Sequence, residues 1–590
     1  AKYKGGFDVP KPYTPVGIES WRQVSDTCKN NFATWNPLLG PQVAALADGN
    51  LTVTSDGANS HKGTRSTIGV TSGKWYWEYR VGTVATNSYV GVSNDFTASG
   101  LVDSNYILHG KGGNNFVNPN GSFSVTDASM DTGMIIGCAF DRDASTQQLK
   151  VYKNGSLAVT GTCSDLGDGV VYHAHNSFNA AVSDGWEANF GQNPTFSGTV
   201  TAGTYTDSNG KGLFKYEPPA GHLALCEDNL PAPAIADPGE HFKSVLYTGD
   251  GNVGRSVRGL GFKPDLVWIK RRNGASDHVL QDSVRGFGPT TKLASSSPQH
   301  ENDTNSGGSY GITDPQWGYL TSADEDGFSL SDTGTADQVN YSGSPYVAWC
   351  WKAGGPAVTN TDGSINAQVS ANQTAGFSIV SYTGNGTSGT TVGHGLGKTP
   401  NIVICKNRTD ASTNWSVNGN FGGLVYGTNK LVLQGNGAIV SDTNEVTGAN
   451  ATTITLGNSS ATNDTNDAQI AYCWTEIEGF SKFGIYTGNG SADGSFVYCG
   501  FKPAWVMIKQ TNDSNNWHIA DSSRKSVNPV NMVLRANISN AESANNTGFD
   551  IDFLSNGFKL RSTNDELNEN TSSYIFMAFA ESPFQTANAK

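Results

Sequence analysis

At 590 residues the chain exceeds the roughly 250 to 300 residues at which single hydrophobic cores stop growing, so several domains are expected. A formal charge of -14 and a pI near 5.1 argue against DNA or RNA as a partner, because phosphate binding draws on clustered Lys and Arg. Only 15% of residues are charged while glycine reaches 71, and no apolar run is long enough to span a bilayer, which together predict a soluble chain of short strands joined by many turns.

Residues 1–45 read as an N-terminal docking arm. Phe32, Trp35 and Leu38 fall in NNFATWNPL, a stretch with little strand alternation, and are expected to dock against other proteins. The opening AKYKGGFDVPKPYTP lacks the apolar core of a signal peptide and gives secretion by that route no support.

Residues 46–215 read as a β-sandwich. In SGKWYWEYRV, residues Trp75, Trp77, Tyr79 and Val81 alternate with Tyr76, Glu78 and Arg80, the pattern of a half-buried strand. Further on, Asn154-Gly155 in VYKNGSLAV predicts a hairpin with a type I′ turn. Leu149 and Val151 are then expected to lie across from Leu157 and Val159. In order, GKWYWEYRV, YVGVSND, GCAFDRD, LKVYKNGS and WEANFGQ resemble the SPRY domain over about residues 60–200. That resemblance implies a twisted antiparallel sandwich without enzymatic activity, whose end loops bind a partner, usually a protein. No binding loop of the familiar members aligns, so the fold carries over and the ligand does not.

After a linker at 216–240, one phrase is written three times: GLGFKPDLVWIK from Gly259, GLGKTPNIVICK from Gly395 and YCGFKPAWVMIK from Tyr498. Each copy follows a run ending in Tyr-Thr-Gly (Tyr247, Tyr382, Tyr486) and precedes an aromatic strand, YVAWCW, QIAYCW or YIFMAF. Three copies of one β module result, at 241–355, 376–478 and 479–590 with a linker at 356–375. Leu266 to Ile269 are apolar at every position, which demands cover on both faces and predicts a central strand. Three separate cores are expected, one per module. The fold class is therefore all-β: tandem antiparallel β-sandwich domains, a SPRY-like one followed by three repeated β modules.

Candidate chemistry is sparse. Asp141 and Asp143 form a close carboxylate pair, but glycoside cleavage needs two carboxylates facing each other across a cleft. His173 and His175 share a strand face without a third ligand nearby, and Asp324-Glu325-Asp326 lacks the spacing of a calcium loop. His278 with Asp282 recurs in the third copy as Trp517 with Asp521 but not in the middle copy, which favours a turn whose Asp and Arg pair locally. No catalytic residue, metal site or cofactor is assigned. The eight scattered cysteines, several inside apolar runs, read as buried free thiols. In the polar loop SSSPQHENDTNSGGSYGITDPQWGYLTS, Tyr310, Trp317 and Tyr319 are aromatic faces suited to sugar stacking or protein contact, and are the candidate receptor-binding residues.

The segment DTCKNNFATWNPL, the SPRY-like unit and the triplicated module together resemble tail fibre and other virion structural proteins of tailed bacteriophages, particularly those of cyanobacteria. The resemblance implies a virion protein made in the host cytoplasm, non-enzymatic, in contact with other virion proteins, and a homo-oligomer, as a fibre a trimer. The function expected is an adhesin binding a host cell-surface glycan or protein. The alternative is an architectural virion protein without host contact.

Overall fold

The computed structural model of the chain describes residues 30–38, 45–56, 62–82, 88–93, 106–109, 116–117, 123–125, 131–163, 166, 171–177, 181–302, 313–331 and 337–584. It is all-β, and it divides into two compact units, Ala1–Pro231 and Ala232–Lys590. Among the described residues no helix is long and apolar enough to cross a membrane.

Unit 1 is built on two sheets. The larger has Lys74–Arg80 at its middle, antiparallel to Ile135–Asp141 on one side and Ala181–Asn189 on the other, while Lys62–Val70, Val171–Ser177 and Ser88–Ser93 are adjacent in the second. The Asn154-Gly155 hairpin forms as the sequence predicts, with Lys153 opposite Ser156 and positive φ at both turn residues. Its far side departs from expectation. A bulge after Val151 sets Tyr152 opposite Leu157, and Leu157 is left exposed. The strand Lys74–Arg80 is buried on both faces and not half-buried. Tyr76 packs edge-on against Phe214, in a small core completed by Phe32, Ala224 and Cys226. Residues 214–226 are thus part of this unit and not a linker.

Phe32 and Trp35 are corrected by the same geometry. Trp35 is fully buried, donates its indole N–H to the Leu51 carbonyl at 3.0 Å and stacks on Tyr79, while Phe32 bridges to Cys226. These side chains are core and unavailable to a docking partner, and Leu38 is half-buried beside them. Large aromatic rings in a segment without alternation had no other signal of burial, because irregular chain covering a sheet carries no period.

In unit 2 each repeat pairs a main sheet with a three-stranded one. The first places Phe242–Thr248, Pro345–Trp351, Leu266–Arg271 and Val279–Asp282 side by side, with Ser256–Arg258, Gly327–Leu330 and Leu320–Asp324 in the second sheet. The other repeats copy this order. The middle one adds Ala367–Asn372 and Val358–Asn360 at the edge of its main sheet, so 358–372 is a strand pair with its turn and not a linker. Gly259 and Gly261 take φ of 94° and 78°, a left-handed turn that opens the repeated phrase ahead of the strand Leu266–Arg271. The Tyr of each Tyr-Thr-Gly donates its hydroxyl to a carbonyl just before the repeat's last strand: Tyr247 to Val339, Tyr382 to Thr462 and Tyr486 to Leu567, at 2.6 to 2.8 Å.

The two-faced strands find their cover in an unexpected way. Val267 and Ile269 face the first repeat's own small sheet, with Val257, Leu320 and Phe328. Leu266 and Trp268 face the opposite way, into a cluster shared by all three repeats that includes Trp349, Trp415, Tyr472, Trp474, Trp505 and Phe579. Three separate cores are therefore not what forms. Two of the repeats keep a distinct inner core, and the outer faces of all three main sheets meet in one common interior. An apolar cavity of about 20 Å³ is lined by Trp268 from the first repeat, Trp474 from the second and Trp505 from the third.

One set of ring contacts between repeats runs in one circular direction. His278 of the first repeat shares a hydrogen bond with the Arg535 carbonyl of the third at 3.0 Å; Trp415 of the second donates to Ala294 of the first at 2.9 Å; Trp517 of the third donates to Val432 of the second at 3.0 Å. All three side chains stand just before the equivalent strand, so a histidine and two tryptophans serve as the same ring N–H donor. The Trp268 indole donates to His278 Nδ1 at 2.8 Å, which leaves Nε2 to carry the proton.

Candidate recognition face of the first repeat

The loop bearing Trp317 and Tyr319 is fixed from inside the first repeat. Lys292 is fully buried, and its ammonium donates to the carbonyls of Asp314 (2.6 Å) and Gly318 (3.3 Å) and to Gln338 Oε1 (2.8 Å). Burial pulls its pKa down to about 7, against the charges of Asp314, Asp277 and Asp337, which act to raise it. Asp314 caps the short turn Pro315–Trp317 through Gln316 N–H, and the Gln338 N–H donates to the Trp317 carbonyl. Trp317 and Tyr319 are both half-buried, held on a backbone anchored at each side. Tyr310 lies outside the described residues.

Beside this loop the sequence hides a further aromatic. Tyr341 is 49% exposed, with the Arg271 guanidinium 4.7 Å from its ring centroid. Arg271 is itself positioned by Asn273 Oδ1 at 3.0 Å and faces Asp337 Oδ2 at 3.6 Å. A Cβ on Gly274 would meet the guanidinium at 3.0 Å, so the glycine leaves room for the arginine under the ring. The equivalent residues after the matched asparagines Asn463 and Asn568 are Asp464 and Glu569. An aromatic where both sister copies carry an acid was the signal available in the sequence.

The remaining candidates have structural partners. Asp141 pairs with Lys74 at 2.8 Å and accepts from the N–H groups of Asp143 and Ala144, while Asp143 accepts from Gly73 N–H at 2.6 Å. Both carboxylates thus tie two turns together. The strand holding His173 and His175 is described, but their side chains lie outside the described residues. Asp326 accepts from the N–H groups of Gly259 and Gly261, and Asp324 pairs with Arg258. Asp282 pairs with Arg285 at 2.5 Å and accepts from the Tyr472 hydroxyl. The seven described cysteines are free and buried; Cys28 lies outside the described residues. Among the described residues no cluster of His, Cys, Asp and Glu could hold a metal ion.

One buried charge recurs in every repeat. Lys270, Lys406 and Lys509 end the repeated phrase, are fully buried, and donate to the carbonyls of the turn that follows: Arg271 and Gly274, Asn407 and Thr413, Gln510 and Asp513. Burial lowers each to about 8. They act as internal caps on the turn that follows the repeated phrase.

The fold defines an all-β protein of sandwich modules, one part of it a threefold internal repeat. The chain belongs to the family of the domain of unknown function DUF7483, whose model matches residues 237–583, the span of the three repeats. None of the curated proteins matches it. Among solved structures it is similar to a human SPRY domain, at 17% identity over 24% of this chain and 92% of that one, with a TM-score of 0.20. It is also similar to the SPRY domain of human HERC1, at 17% identity over 26% and 96%, with a TM-score of 0.19. Unit 1 is defined by its own sheets.

Proposed function

We propose that the chain is a non-enzymatic structural protein of a bacteriophage particle, a tail fibre or adhesin that binds a host cell-surface glycan or protein through the first repeat. The observation that carries the recognition part is that the aromatics of the first repeat are held in place. Trp317 and Tyr319 stand on a loop anchored by buried Lys292, and Tyr341 is backed by Arg271. Rigid aromatic surface offers contact area at low entropic cost, and one ring with a guanidinium on one side presents the other to a ligand. The virion setting rests on the sequence pattern, and in that setting the protein is made in the host cytoplasm, needs no cofactor and contacts other virion proteins. The test is binding of the full-length protein to host cells. Trp317→Ala and Tyr341→Ala are expected to lower cell binding at least about tenfold, the loss typical of an interface anchor, without shifting the melting temperature. Wild-type protein that is folded and does not bind cells sinks the reading.

The architectural alternative has its own supporting observation. The three repeats close on one shared interior, as one joined body and not as three separate binding modules. Locating the protein on a particle's capsid or tail connector, with no effect of its antibodies on adsorption, would favour this reading.

A further inference from the structure

Two of the three junctions between repeats carry the same chain of buried and half-buried polar groups. From the first repeat to the third, Trp349 Nε1 donates to Asp521 Oδ2 at 3.0 Å, Asp521 holds Arg524 at 2.5 Å, Arg524 reaches Glu542 at 2.9 Å, and Glu542 holds Arg272 of the first repeat at 2.7 Å. From the second repeat to the first, Tyr472 donates to Asp282 at 2.7 Å, Asp282 holds Arg285 at 2.5 Å, Arg285 reaches Glu301 at 2.7 Å, and Glu301 holds Arg408 of the second repeat at 2.9 Å.

From the third repeat to the second, every member is replaced. Met577 stands where the other copies have Trp349 and Tyr472, Gly419 where they have the aspartates, Gly422 and Ile439 where they have Arg and Glu, and Thr511 where they have the outgoing Arg. The backbone geometry persists. The Ile439 N–H donates to the Thr511 carbonyl at 2.8 Å, as Glu542 does to Arg272 at 2.8 Å and Glu301 to Arg408 at 3.2 Å. Ile439 packs on the shared core, and a Cβ on Gly422 would meet Ile575 Cγ2 at 2.4 Å. The third junction is therefore closed by apolar contact where the other two are closed by charge.

We infer that these positions change as a set and that the set fixes the direction in which the three repeats close. In the reverse circulation Trp349 and Arg272 would meet Gly419 and Ile439, while Met577 and Thr511 would meet Asp282 and Glu301. One half-buried arginine, Arg272, would lose its carboxylate, and one carboxylate pair would lose its outside donors. Only Tyr472 and Arg408, facing Asp521 and Glu542, would stay matched. A buried charge without a partner is strongly unfavourable, so mismatch at two junctions of three selects against that arrangement.

The experiment is a set of double-mutant cycles in the full chain, read by denaturant unfolding of unit 2. Arg408→Gln and Glu301→Gln are each expected to raise the unfolded fraction about 10- to 100-fold, with the double variant far short of the product of the two. Arg408→Gln with Glu542→Gln should instead multiply. Coupling of Arg408 to Glu542, or to neither glutamate, overturns the inference. If the glutamine variants do not fold, the apolar junction provides the second test. Thr511→Arg and Ile439→Glu should each destabilise alone, and together recover at least half the loss on a logarithmic scale; a double variant no better than the worse single overturns it as well.

Discussion

Trp349 of the first repeat donates its indole N–H to the Asp521 carboxylate of the third at 3.0 Å, with both side chains fully buried. The two residues are 172 positions apart in sequence, and their contact exists only because the repeats share an interior. Asp521→Ala leaves Arg524 with one carboxylate fewer and the indole without an acceptor. We expect a loss of roughly 3 to 5 kcal/mol of unfolding free energy, the range for breaking a buried charged pair, measured by urea titration.

The shared interior also decides what a single repeat can do. Cut out as residues 237–356, the first repeat exposes the face of Leu266, Trp268, Trp349 and Trp351. It is expected to associate or to remain unfolded, and not to melt as a cooperative monomer. Sedimentation and a thermal scan check this; a well-folded monomer would show that the inner core alone suffices.

Truncation at Leu38 bears on unit 1. Because Trp35 and Phe32 are inside the sandwich, removing residues up to 38 should unfold that unit. Trp35→Ala alone should cost roughly 3 to 5 kcal/mol, the range for an aromatic removed from a packed interior. Near-UV circular dichroism that is unchanged in the truncated protein would contradict the assignment.

His278 sets a pH dependence. Burial lowers its pKa from 6.5 to about 3, with Lys270 and Arg524 acting in the same direction against the hydrogen bond to Arg535. Its unfolded form takes up a proton near pH 6.5 while the folded form stays neutral. Stability is thus complete above about pH 6.5 and is lost as pH falls toward 3. His518, His241 and His394 are lowered by burial too and add to the same trend. His278→Gln is expected to reduce the slope of melting temperature against pH between 6 and 4. An unchanged slope would show that His278 does not titrate as described.

Gly155 offers a local test of the hairpin. It takes φ of 83°, and a Cβ there would approach Tyr216 at 2.6 Å. Gly155→Ala should therefore destabilise unit 1 by about 1 to 3 kcal/mol, the cost of a strained backbone position, read by urea titration. A neutral result would mean that the type I′ turn relaxes freely.

Much of this molecule is determined locally. The Asn154-Gly155 turn, the apolar run at Leu266 to Ile269 and the left-handed glycines ahead of it follow from backbone sterics and side-chain period, which neighbouring residues fix by themselves. The sequence also determined that Leu266 to Ile269 needed cover on two faces. It did not determine what the second cover was, because apolar surface is non-directional and any large apolar face satisfies the demand. Only the tertiary structure decided that the faces of the three main sheets cover one another, with His278, Trp415 and Trp517 as equivalent donors and Met577 opposite a repeat that carries Gly419. Tyr341 and Trp35 show the same limit. Whether a ring is exposed beside Arg271 or enclosed between Tyr79 and Phe190 depends on chain far away in sequence, and distance in space is the one quantity that local pattern does not encode.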